Sequence, residues 1–130
     1  MDNEKSRSDQ LEERLIEFAA RIVRFTAELP KTAAGRHIAQ QIMRSGTAAA
    51  PNYAEARCAE SRADFIHKLG IVQKELNETA VWLRIVLRDS RDKENLIVAI
   101  LQENVELARI ITASIRTAKA RGQAVSQNDN

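Results

Sequence analysis

A small set of polar side chains falls where a helical repeat would carry them toward a bundle interior. Arg44, Ser45, Asn52 and Glu55 belong to one segment, and intervals of seven and three bring Ser45, Asn52 and Glu55 near one face. A later segment offers Lys68, Glu75 and Glu78, with Trp82 one further turn along. Charges that face a bundle interior must be paired and hydrogen-bonded, because desolvating each alone is costly. An Arg44–Glu75 pair, with Asn52 and Glu55 bonded to neighbouring groups, meets that requirement. The cluster then reads as a buried network that fixes helix register, in preference to a central pocket for a polar ligand.

Other reactive types are scarce. Ser45 and Cys58 are the candidate nucleophiles, but no Gly-x-Ser-x-Gly motif surrounds the serine and no histidine is spaced to serve Cys58. A carboxylate-bridged metal site in a bundle needs Glu-x-x-His on two helices. With two histidines in the chain, the nearest match is Asp64-x-x-His67, so both histidines read as solvated surface groups and no metal or other cofactor is expected. Glycines 35, 46, 70 and 122 stand singly and build no phosphate loop. Chemistry of the enzymatic kind is therefore not expected.

Cations offer more. No acid lies between positions 107 and 121, where Arg109, Arg116, Lys119 and Arg121 gather. Intervals of seven and three put Arg109, Arg116 and Lys119 on one side of a helix. Arg84, Arg88 and Arg91 add charge just upstream. The net charge of +2 is small for a nucleic-acid binder, but a cyclic oligomer would repeat each patch around its ring, and phosphate binding responds to the summed field.

The elements that must position these groups are helices. Leu11, Leu15, Phe18, Ile22, Phe25 and Leu29 alternate at four and three, a repeat that strands do not produce. That first segment is expected to open near Ser8–Asp9, with Glu12 completing a capping box, and to stop at Pro30. Thr32 is the expected cap of the second, whose stripe is Ile38, Ile42, Ser45, Ala49, Asn52 and Ala56. Pro51 should bend that helix near Gly46–Pro51 or split it in two. Ser61 with Asp64 opens the third, where Phe65, Leu69, Val72, Leu76, Thr79, Leu83 and Val86 keep the spacing. Ser90 or Asp92 is the expected cap of the fourth. Its stretch Leu96–Leu101 is apolar at every position, more than one buried stripe needs, which suggests contact with another subunit, with deep burial between three neighbours in the same chain as the alternative.

Composition agrees. The chain has 130 residues, 44% hydrophobic and 29% charged, with four glycines, two prolines and 4% aromatics. Turn-rich β folds and base-stacking RNA readers are disfavoured. One cysteine excludes a disulfide framework and suits a reducing cytoplasm. The charged stretch Met1–Asp9 lacks the apolar core of a signal peptide, and no uncharged apolar run is long enough to span a membrane. The expected organisation is a disordered segment 1–8, an up-down four-helix bundle over 9–121, and a disordered tail 122–130.

The runs Leu29-Pro-Lys-Thr, Gly35-Arg-His-Ile-Ala-Gln-Gln-Ile-Met-Arg-Ser-Gly-Thr, Pro51-Asn-Tyr-Ala-Glu-Ala, Asp64-Phe-Ile-His-Lys-Leu-Gly-Ile and Lys74-Glu-Leu-Asn-Glu-Thr resemble the four-helix-bundle proteins of the 23S ribosomal RNA intervening-sequence family. The similarity spans roughly residues 11 to 115 and is densest from 29 to 83. It implies a bacterial, cytoplasmic, toroidal homopentamer of up-down bundles, with no catalytic residues. A similar pentameric bundle is the accessory protein of diversity-generating retroelements, which suggests an adaptor role by analogy of fold. The family's polar positions fall on Arg44, Ser45, Asn52, Glu55, Glu75 and Glu78.

The resulting expectation is a non-enzymatic oligomeric bundle that binds nucleic acid, RNA above DNA. Arg109, Arg116 and Lys119 are the phosphate contacts, with Arg84, Arg88 and Arg91 as secondary ones. The alternative is a protein–protein interaction scaffold that binds no nucleic acid. An enzyme built on the Arg44/Glu75 region stands third.

Overall fold

The computed structural model describes residues 6–128, with side chains to Val125, and contains four helices: α1 (Arg7–Thr26), α2 (Ala33–Arg57), α3 (Arg62–Asp89) and α4 (Glu94–Asn128). Short links at 27–32, 58–61 and 90–93 leave successive helices no course but antiparallel packing. Each helix lies against its neighbour in sequence, while α4 closes only lightly on α1. The fold is the expected all-α four-helix bundle. Among the described residues no helix is long and apolar enough to cross a membrane.

The heptad stripes form the core. Leu11, Leu15, Phe18, Ile22, Phe25 and Leu29 are all buried, and so are Leu69, Val72, Leu76, Thr79, Leu83 and Val86. On α4 the buried stripe is Ile97, Ile100, Asn104, Leu107 and Ile111. This register settles what the Leu96–Leu101 block does: Ile97 and Ile100 turn inward, while Leu96 stays 40% exposed and Val98 and Leu101 are half-buried. Two glycines sit at close approaches. A Cβ on Gly35 would lie 2.0 Å from the Pro30 carbonyl oxygen, and one on Gly46 would lie 2.9 Å from the buried Ile22 side chain.

Helix ends follow the capping rules with two changes of position. Thr32 and Ser61 cap α2 and α3, their hydroxyls accepting from the amides of Gly35 and Asp64 at 3.1 and 3.0 Å. The cap of α1 is Ser6, not Ser8 or Asp9. Its hydroxyl accepts from the Asp9 amide at 3.0 Å, and the Asp9 carboxylate accepts from the Ser6 amide, closing a capping box one turn earlier than expected. Ser90 ends α3, its amide donating to the Val86 carbonyl at 2.9 Å, while its hydroxyl donates to Asp92. Neither residue therefore opens α4, which begins at Glu94.

Three further boundaries differ from expectation. α1 ends at Thr26, and the turn that follows reaches Pro30 without helix. Residues 7 and 8 belong to α1 instead of a disordered segment, and α4 continues through Gly122 to Asn128. What was expected of residues 1–5 and 129–130 lies outside the described residues. Pro51 sits within α2, which runs unbroken, so the two-helix alternative falls. The proline is exposed, and helical geometry puts it on the same side as the Thr47 carbonyl that loses its amide donor.

Candidate nucleic-acid interface

The polar cluster on α2 and α3 is built outward from one buried pair. Ser45 and Thr79 are both fully buried, with the Thr79 hydroxyl 2.8 Å from Ser45 Oγ and from the Glu75 carbonyl. The Ser45 hydroxyl donates to the Gln41 carbonyl at 3.0 Å. Above this pair the Arg44 guanidinium meets Glu75 at 3.4 Å and also donates to Glu78 and Gln41. The Arg44–Glu75 pair inferred from sequence therefore forms, but at the rim, where the Arg44 side chain is 51% exposed. Glu78 also accepts from Trp82 Nε1 at 3.2 Å, and the His37 ring meets Trp82 edge-on at 5.8 Å.

Asn52 and Glu55 do not join this group. The Asn52 amide donates to the Ala48 carbonyl one turn back at 2.8 Å, and Glu55 pairs with Lys68 at 3.5 Å. The cluster is thus a set of surface pairs over a hydroxyl contact, and every charge in it is opposed. Such pairs at half-exposed sites contribute about 0–1 kcal/mol each.

The α4 cations are arranged differently. Arg109 approaches only Glu106, at 3.7 Å, and its side chain is 76% exposed. Arg116 and Lys119 are exposed and form no ion pair among the described residues. Arg84 and Arg88 are likewise exposed and unpaired, beside Val81 and Ile85, which are 51% and 40% exposed. Arg91 lies in the α3–α4 link.

The structure does not gather all six cations. Hydrogen bonds from Gln73 to Thr112 (2.7 Å) and from Asn104 to the Leu76 carbonyl (2.9 Å) set the register of the antiparallel α3–α4 pair. At 1.5 Å per residue that register separates Arg88 from Arg116 by roughly 35 Å along the axis. Arg84, Arg88 and Arg91 therefore belong to one end of the hairpin, Arg116 and Lys119 to the other, and Arg109 stands between.

One flank of α4 joins the two features that sequence reading kept apart. Val98, Leu101, Val105, Arg109, Thr112, Arg116 and Lys119 recur at three and four, so a single face runs from apolar to cationic along the groove beside α3. Val105 is 42% exposed, and Val98 and Leu101 line a shallow depression with it. Between the apolar and cationic halves the α3–α4 groove opens to about 370 Å³, lined by Asn77 and Ala80 of α3 and by Asn104, Arg109, Thr112 and Arg116 of α4.

Asn77, Asn104 and Thr112 were not singled out from the sequence. Asn104 has a signal there: it occupies a core position of the α4 stripe, as Ser45 and Asn52 do on α2. It is 1% exposed, and with its amide nitrogen given to Leu76 its Oδ1 has no hydrogen-bond partner among the described residues. A buried acceptor in that condition costs about 1–3 kcal/mol. Among the described residues no group of three or more His, Cys, Asp or Glu side chains is placed to hold a metal ion. Cys58 is exposed at the end of α2.

Comparison with known proteins places these observations in a lineage. The family model for the 23S rRNA-intervening sequence protein matches residues 9–113. A crystal structure of a protein of unknown function from the S23 ribosomal protein family of Bacteroides thetaiotaomicron is similar at 33% identity. The match covers 85% of this chain and 99% of that one, with a TM-score of 0.79. No curated protein matches.

Proposed function

Because the chain belongs to the 23S rRNA-intervening sequence protein family, we propose that it is a non-enzymatic, RNA-binding homo-oligomer that works as an adaptor in the bacterial cytoplasm. Arg109, Arg116 and Lys119 contact phosphates, and Arg84, Arg88 and Arg91 form a second, separate set at the other end of the hairpin. The observation that carries this reading is the unpaired state of Arg116 and Lys119 within an acid-free stretch of α4. Cations already opposed by carboxylates, as Arg44 is, have little field left for a phosphate. Arg116 and Lys119 keep theirs.

Assembly follows from the apolar half of the same face. Val98, Leu101 and Val105, with Val81 and Ile85 on α3, leave apolar surface in water that a second copy would cover. Contacts between unlike faces make a ring where the rotation between copies closes, and a pentamer is the ring that the family resemblance implies. A net charge of +2 per chain then accumulates around the assembly. Binding should be insensitive to sequence, because phosphate contacts carry no base information.

A titration of single-stranded RNA at low and moderate salt tests the reading. With three phosphate contacts the logarithm of affinity should fall with the logarithm of salt at a slope of about −2 per engaged subunit. Absence of binding at low salt would remove the proposal. The exposed apolar residues also favour a second reading, a scaffold that docks a partner protein there. It predicts capture of that protein by variants reversed at Arg116 and Lys119 as readily as by the native chain.

A further inference from the structure

We infer that the α3–α4 groove seats a ribose-phosphate unit of a single RNA strand, with phosphate on Arg109 and Arg116 and a sugar hydroxyl given to Asn104. The inference rests on the nucleic-acid reading above and adds to it a discrimination between RNA and DNA. Arg109, which meets Glu106 at 3.7 Å, and the unpaired Arg116 both line the groove with donors, and no carboxylate is part of its lining. Ala80 and Ala108 keep its floor low, so a backbone can lie close to the helices.

Asn104 makes a different demand. Its nitrogen is committed to the Leu76 carbonyl, and its buried Oδ1 lacks a donor. A phosphodiester offers acceptors alone and cannot satisfy it. The ligand must therefore present an anion to the arginines and a donor to the amide oxygen within one short span. A ribonucleotide does both through its phosphate and 2′-hydroxyl, whereas deoxyribose has no hydroxyl there. Asn104 itself lines the groove, and Asn77 and Thr112 supply further polar groups along it. No aromatic side chain lines the groove, so bases are not stacked and face outward.

The test compares oligouridylate, oligodeoxyuridylate and 2′-O-methyl oligouridylate of equal length on the full-length protein. RNA should bind about threefold to tenfold more tightly than DNA, the range one hydrogen bond supplies. The 2′-O-methyl strand, which keeps the oxygen and loses the donor, should behave as DNA does. Asn104→Leu should erase the preference for RNA over DNA. Equal binding of the three strands overturns the inference and leaves phosphate binding standing, and so does a folded N104L variant that still prefers RNA. Failure of all three strands to bind removes the nucleic-acid reading, and this inference with it. The methylated strand requires no variant, so the test survives a failure of N104L to fold.

Discussion

The α2–α3 and α3–α4 faces use the same kinds of side chain to opposite effect. Around Arg44 every charge has a partner: Glu75 and Glu78 oppose the guanidinium, Trp82 donates to Glu78, and Lys68 meets Glu55. Around Arg116 and Lys119 none does among the described residues, and on the same flank Val105 is exposed while Val98 and Leu101 are half-buried. Polar side chains on a helical stripe mark structure where opposite charges converge across two helices. They mark an outward-directed function where a single sign is left alone.

If this division is right, reversing charge on the open face should have the largest effect. Arg116→Glu with Lys119→Glu should weaken RNA binding more than tenfold at low salt, since two attractions become repulsions, and leave the melting temperature nearly unchanged. Fluorescence anisotropy and thermal melts read both. Leu101→Asp with Val105→Asp probes the apolar half, and native mass measurement should show single chains for this variant against the proposed homo-oligomer for the native chain.

Stability changes on the closed face should be smaller and separate from binding. Thr79→Val removes the hydroxyl that approaches both Ser45 and Glu75, while Ser45 keeps its bond to Gln41. Chemical denaturation should show a loss of about 0.5–1.5 kcal/mol with RNA affinity intact. Arg44→Ala should cost about 0–1 kcal/mol, because the pair it breaks is half exposed.

The smallest effect is one of pH. Hydrogen bonds from Arg57 and Ser6 hold the Asp9 carboxyl below its ordinary 3.8. A carboxyl whose folded pKa is depressed stabilises the fold fully above its unfolded value, and that contribution is lost as pH falls through the folded one. Melting curves of Asp9→Asn and the native chain should therefore converge as pH falls through the depressed folded pKa, and differ slightly at neutral pH.

How far the sequence disclosed this arrangement depended on whether a local rule had one solution. The apolar stripes of α1 and α3 have one register each, and Thr32 and Ser61 are lone cap candidates before α2 and α3, so helices and core were legible. Ser6, Ser8 and Asp9 compete for one cap, and the winner is the residue whose box with Asp9 closes in space. Ser90 could start a helix or finish one, and the backbone uses it to finish α3. The unbroken apolar run Leu96–Leu101 hid which residues of α4 face inward, and with them the buried place of Asn104. Arg44 with Glu75 was legible because charge and spacing both pointed there. The orphaned oxygen of Asn104 was not, since it depends on which of two amide atoms the neighbouring helix engages.

Photocrosslinking of RNA from two exposed positions tests the central claim most directly. A photoreactive side chain in place of Gln123 shares the α4 face of Arg116 and Lys119, whereas one in place of Gln40 lies on the outer side of α2. Strong crosslinking is expected from position 123, suppressed by added salt, and little from position 40. Equal crosslinking from the two positions, or crosslinking from position 40 alone, would contradict it.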